Sequence, residues 1–174
     1  TGPIMFGLDG MNQAAYAAGQ PIPNIIGMAF SYSMTIAVLY PAFALAVLIF
    51  SKSNQLKTVG KISIAPAFFG ISEPLMFGVP VVMNPFMAIP WIISPTVNVL
   101  LGWLACSSGL VARYAGVTVF NFPMGVTGIL NGSFTIAILE VVVCIIDVLI
   151  FMPFVRIQDK KYIDAEKAAE TEQN

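Results

Sequence analysis

The chain has 174 residues, of which 57% are hydrophobic and 10% charged, with a formal net charge of −1. Its mean hydropathy is +0.85, and ordinary soluble domains carry about 25% charged residues. This composition excludes a disordered chain, a nucleic-acid-binding module and a small disulfide scaffold, and it predicts an all-α polytopic membrane protein.

The charge is unevenly spread. Nine of the seventeen charged residues lie from Arg156 onward; the others are Asp9, Lys52, Lys57, Lys61, Glu73, Arg113, Glu140 and Asp147. The net charge therefore points to no acidic or basic partner. Cys106 and Cys144 lie in apolar runs and read as small buried hydrophobes. The opening residues, TGPIMFGLDG, read as the middle of a longer protein, with no signal peptide.

Residues 25–50 form the first predicted span, with Pro41 inside it. At about 1.5 Å per residue this run is long enough for a bilayer core. Lys52, Lys57 and Lys61 follow, which places that loop on the cytoplasmic side by the positive-inside rule. The next stretch is broken by prolines at 66, 74, 80, 85, 90 and 95. Each removes a backbone donor and frees a carbonyl in the preceding turn. At membrane depth such backbone must be buried in protein or line a wet cavity, and a discontinuous apolar segment marks a transporter binding site. A regular helix is expected to resume near Thr96 and run to about Cys106.

Residues 117–133, with Pro123 and several glycines, form a second broken region. Residues 134–155 form the second clear span, carrying Glu140 and Asp147 on one helical face and ending at Arg156. With both exits cytoplasmic, the stretch between Lys61 and Phe134 crosses an odd number of times; one full crossing plus re-entrant pieces is expected. The tail, 159–174, reads as a polar helix end with no chemistry.

Glu73 is the leading candidate for function. It is the only charge between Lys61 and Arg113 and it precedes Pro74. A carboxylate at membrane depth is a functional hypothesis by default; the competing reading is an ion pair with a lysine of the Lys52–Lys61 loop. Asn84 and Asn98 offer amides either to a polyhydroxylated ligand or to proline-freed carbonyls. Trp91 and Trp103 suit sugar stacking, but interfacial anchoring is the stronger expectation. Glu140 and Asp147 fit a polar seam or proton path, or helix contacts to Arg113 or an amide. The Asn131-Gly132-Ser133 triplet matches a glycosylation pattern common by chance. The chain has no histidine, which weakens zinc or histidine chemistry within it. No phosphate loop or nucleophile elbow occurs, so no metal or cofactor is expected.

The run from Gly70 to Pro85 resembles the signature of enzyme IIC, the sugar permease of the bacterial phosphotransferase system, in its lactose, cellobiose and diacetylchitobiose branch. Glu73-Pro74, Phe77-Gly78-Val79-Pro80, Asn84-Pro85 and Ile89-Pro90 carry the resemblance. Phe50-Ser51-Lys52-Ser53, the Asn12–Gly19 run and the terminal Pro153-Phe154 with Asp159-Lys160 extend it over the whole chain. The resemblance implies that residues 1–158 are the C-terminal part of a transport domain and that 159–174 are a polar cytoplasmic tail. It implies a multi-pass protein of the bacterial inner membrane, in contact with membrane lipid. The sugar, a β-linked disaccharide such as cellobiose, diacetylchitobiose or lactose, would be carried inward and phosphorylated by enzyme IIB, itself supplied by enzyme IIA. The chain would not be catalytic alone but would form part of the phosphohistidine–sugar phosphotransferase complex.

By the same resemblance Glu73 would hold the sugar near its reacting hydroxyl, as the catalytic-site residue. Ser72, Asn84, Asn12, Asn121 and Phe122 would bind substrate. A family histidine near the same hydroxyl would lie upstream of Thr1, and a homodimer would form through a missing N-terminal half. Ser72 stands where many members have asparagine, and Asn121-Phe122 where tryptophan and hydroxyl residues are frequent; both bear on sugar preference. The alternatives are an ion-coupled sugar transporter using Glu73, Glu140 and Asp147, or a non-transporting membrane fragment.

Overall fold

The computed structural model describes residues 1–79, 81 and 84–172, so Pro80, Val82 and Met83 of the motif run and the last two tail residues lie outside the description. The chain opens with α1 (Gly2–Ala17), started by Pro3 in its first turn, where the missing N–H costs nothing. It continues through α2 (Met28–Tyr32), a π-helical turn (Ser33–Ala37) and α3 (Val38–Phe50), which together make one apolar rod. Pro41 cannot donate to the Ala37 carbonyl, and the π turn ends at that residue.

Ser51–Ser53 reverse the chain into α4 (Asn54–Phe68), whose Ser53 N-cap accepts the Leu56 N–H at 3.2 Å. α4 runs back along α3. A side chain at Gly60 would lie 3.2 Å from the Leu48 backbone, so glycine permits this close approach. Gly70 then meets Tyr32 and Ile36, near the start of the same rod. The chain turns there and returns through α5 (Glu73–Gly78). Asn84 brings it back to the starting end, where its Nδ2 donates to Gln158 Oε1 at 3.0 Å. α4 and α5 therefore form the re-entrant excursion expected from the prolines.

α6 (Pro85–Ser107) begins 11 residues before the expected Thr96. Asn84 Oδ1 caps it by accepting the Phe86 N–H at 3.1 Å, and Pro85 sits at its first position with φ already suited to a helix. Pro90 and Pro95 lie inside it. Membrane helices tolerate such prolines where neighbours satisfy the freed groups. After an irregular loop come α7 (Val126–Leu130) and α8 (Phe134–Glu172). α8 continues without a break from the apolar run into the tail; its 39 residues span about 58 Å, well beyond a bilayer core.

Among the described residues three helices are long and apolar enough to cross a membrane: Met28–Phe50, Pro85–Ser107 and Phe134–Ala168. One lies between the two spans read from sequence, which agrees with a single additional crossing. α3 packs most extensively on α8 and α4. One apolar cluster joins Phe43, Val47, Leu56, Leu75, Met87 and Phe151. A second joins Phe30, Met34, Tyr114, Ile136 and Val143 near the other end. Cys106 and Cys144 are buried free thiols.

Candidate functional site

The site gathers around the turn between α4 and α5. Gly70 has φ +73°, a left-handed conformation that costs other residues about 1–2 kcal/mol. A side chain there would also sit 2.9 Å from Tyr32 Oη and 3.5 Å from Asn121 Oδ1. The turn therefore touches both α2 and the loop before α7. Ser72 is the N-cap of α5 and its carbonyl accepts the N–H groups of Leu75 and Met76. Glu73 follows as the first helical residue. It is exposed, and among the described residues its carboxylate has no ion-pair or hydrogen-bond partner. Phe69, next to Gly70 in the chain, and Phe120 and Phe122, which flank Asn121, are exposed.

Asn121 is the one non-glycine among the described residues with positive φ, at 59°, a conformation asparagine tolerates better than most. Its backbone N–H donates to Tyr32 Oη at 2.8 Å, and the Tyr32 ring packs edge-on against Phe120 at 5.0 Å. Of the residues proposed from sequence, Ser72, Glu73, Asn121 and Phe122 are thus carried on two segments that meet at Tyr32 and Gly70.

Asn12 and Asn84 lie apart from this cluster and are engaged by protein. Asn12 is fully buried. Its Nδ2 donates to the carbonyls of Asn24 at 3.0 Å and Tyr114 at 3.1 Å, and its Oδ1 accepts the Asn24 N–H. Asn84 caps α6 and holds Gln158 at the far end. Asn98 Nδ2 donates to Met34 O in the π turn and, at 2.7 Å, to Asp147 Oδ2, so the amide alternative holds for Asp147. Arg113 pairs with neither carboxylate and instead donates to the carbonyls of Ile22 and Pro23. Trp91 is not an interfacial anchor: it packs among Tyr40, Phe43 and Phe151, with centroids 5.4–5.9 Å away. Trp103 is 42% exposed. Asn131 is buried and bonded to Val117 through both amide atoms, so its glycosylation triplet is a chance match.

Two carboxylates hold the site loop in place. Glu140, fully buried, accepts the Gly125 N–H at 2.5 Å and the hydroxyls of Thr127 at 2.6 Å and Ser33 at 2.5 Å. It ties the loop and α7 to the π turn. Asp9 accepts the Ala29 N–H at the start of α2 and the Thr118 hydroxyl. Sequence reading assigned Asp9 no role; its isolation in an uncharged N-terminal run was the available signal.

Residues 1–95 match the family model described as "Phosphotransferase system, EIIC". Over 171 residues the chain is 37% identical to the oligo-beta-mannoside-specific EIIC component of Bacillus subtilis, covering 95% of this chain and 39% of that protein. This chain belongs to the phosphotransferase-system EIIC family. It is also 35% identical, over 98% of its length and 40% of the relative, to the cellobiose-specific EIIC component of Geobacillus stearothermophilus. The crystal structure of ChbC, the IIC component of the N,N'-diacetylchitobiose-specific system, superposes with a TM-score of 0.90 at 36% identity, covering 96% of this chain and 40% of that one. The chain thus spans about two-fifths of the length of these EIIC proteins, and membership of the family bears out the resemblance read from the Gly70–Pro85 run.

Proposed function

We propose that this chain is the sugar-holding C-terminal part of an EIIC transport domain, and that the whole protein moves a β-linked disaccharide inward as a phosphotransferase system phosphorylates it. The observation that carries this reading is Glu73, an exposed carboxylate with no hydrogen-bond or ion-pair partner among the described residues, at the tip of a re-entrant hairpin in a chain of this family. A carboxylate so placed accepts hydrogen bonds from sugar hydroxyls, and exposed rings offer flat apolar faces to the sugar. Ser72, Asn121 and Phe122 flank it. Asn12 and Asn84 contribute indirectly, Asn12 by tying α1 to Asn24 and Tyr114 and Asn84 by capping α6.

Glu73 holds one hydroxyl in line for attack on a phosphoryl group, since phosphoryl transfer depends mainly on alignment and electrostatics. The phosphoryl donor is a phosphocysteine enzyme IIB, recharged by enzyme IIA. The tail of α8 lies on the cytoplasmic side, consistent with Lys52, Lys57, Lys61, Arg156, Lys160 and Lys161 at that end. The remaining part of the domain completes the sugar site and carries the homodimer contact. The names of the relatives, which include cellobiose, oligo-beta-mannoside and N,N'-diacetylchitobiose systems, support a β-linked substrate.

The test is uptake of labelled cellobiose and diacetylchitobiose by cells whose only EIIC is the full-length protein carrying these residues. Uptake is expected to require the enzyme IIB cysteine and to deliver phosphorylated sugar. Uptake of unmodified sugar that survives loss of that cysteine, and collapses with the proton gradient, would assign ion coupling instead.

A further inference from the structure

A cavity of about 530 Å³ lies where α3 ends and α8 leaves its apolar run, lined by Ile49, Phe50, Lys52, Arg156, Lys160 and Ile163 among others. Three cations face it. Its one carboxylate, Asp159, is buried, and its two oxygens already accept the Lys52 and Ser53 N–H groups at 2.8 and 2.9 Å. Among the described residues no carboxylate forms an ion pair with Lys52, Arg156 or Lys160. The Arg156 guanidinium lies 5.2 Å above the Phe50 ring, a contact that fixes its position at the cavity edge.

The depth of this cavity is set by its neighbours. The uncharged runs of α3 and α8 end at Phe50 and Val155, so the cavity sits at the boundary between hydrocarbon and water. Ile49, in its lining, is 60% exposed, and Phe50 and Ile163 line it as well. One wall is therefore cationic and the other apolar. A bare phosphate would leave the apolar wall uncovered. A zwitterionic headgroup would bring its own ammonium against three cations. An anionic phospholipid satisfies both walls, its phosphate among the cations and its acyl chain along Ile49 and Phe50.

We propose that this cavity is a binding site for an anionic phospholipid headgroup, with Lys52, Arg156 and Lys160 as its ligands. The site is independent of the sugar reading. By locking the α3–α4 turn to α8, a bound lipid would fix the base of the re-entrant hairpin.

The experiment uses the full-length protein reconstituted in phosphatidylcholine vesicles with a minor fraction of phosphatidylglycerol, then extracted, with retained lipid counted by native mass spectrometry. Wild type is expected to retain phosphatidylglycerol in preference to phosphatidylcholine. Each single change to glutamine is expected to lower that retention about fivefold, equivalent to ~1 kcal/mol per cation. The triple variant Lys52→Gln, Arg156→Gln, Lys160→Gln should lose more than about tenfold. A control of equal charge, Lys57→Gln, Lys61→Gln, Lys161→Gln, should retain the lipid as wild type does. The altered side chains are exposed, so both triple variants should unfold in pure phosphatidylcholine as wild type does. Equal retention by the two triple variants overturns the proposal, as does wild-type retention without headgroup preference. Retention of added inorganic phosphate by wild type with no phosphatidylglycerol retained overturns the assignment to a lipid and leaves a simple anion site.

Discussion

Tyr32 Oη accepts the backbone N–H of Asn121 at 2.8 Å. Through this one hydroxyl the first span holds the loop that carries Asn121 and Phe122, and the same hydroxyl borders the Gly70 turn. The two segments of the candidate site are thus positioned by a residue that belongs to neither.

Tyr32→Phe removes the acceptor but keeps the ring on Phe120. The half-buried N–H of Asn121 then lacks its partner, at a cost of ~1 kcal/mol. Amide hydrogen exchange at Asn121 should accelerate about fivefold, with exchange in α3 and α8 unchanged. Unaltered exchange at Asn121 would show that the loop is held by other contacts.

Glu140 should be needed for the integrity of the fold more than for contact with sugar. Glu140→Ala strands the Gly125 N–H and leaves the Thr127 and Ser33 hydroxyls without their acceptor, a loss of about 3 kcal/mol. Glu140→Gln retains one acceptor oxygen and should lose roughly half as much. Reversible unfolding in mixed micelles measures the difference. Equal stability of the two variants would contradict the assigned hydrogen-bond set.

Asp159 caps the N–H groups of Lys52 and Ser53, and Glu166 accepts those of Asn54 and Gln55. The tail of α8 is therefore a clamp on the start of α4, a contact between residues more than 100 positions apart. Asp159→Ala should destabilise this junction by ~1–2 kcal/mol, seen as faster proteolytic cleavage between Ser51 and Gln55. Cleavage at the wild-type rate would mean that the tail does not hold the turn.

The sequence made the apolar rods legible because hydrocarbon thickness imposes a length on them. It also exposed Glu73, because so few charges occur near it. The start of α6 was missed because proline counts as a breaker in water, while Pro85 begins this helix and Pro90 and Pro95 lie within it. The placement of Asn12, Asn84 and Trp91 was hidden for another reason. Each is defined by partners distant in the chain, such as Tyr114, Gln158 and Phe151, and a local pattern carries no record of them. The clamp by Asp159 was obscured because a charged tail ordinarily reads as a solvated helix end.

The most direct test of the account is sugar binding by Glu73→Gln in the full-length protein. Titration calorimetry with cellobiose or diacetylchitobiose in nanodiscs should show affinity reduced about 10- to 150-fold, the loss of a charge-assisted hydrogen bond worth ~1.5–3 kcal/mol. Membrane insertion and unfolding should be unchanged, because Glu73 is exposed and its carboxylate has no hydrogen-bond or ion-pair partner among the described residues. Wild-type affinity in that variant would contradict the assignment of Glu73 to the sugar site.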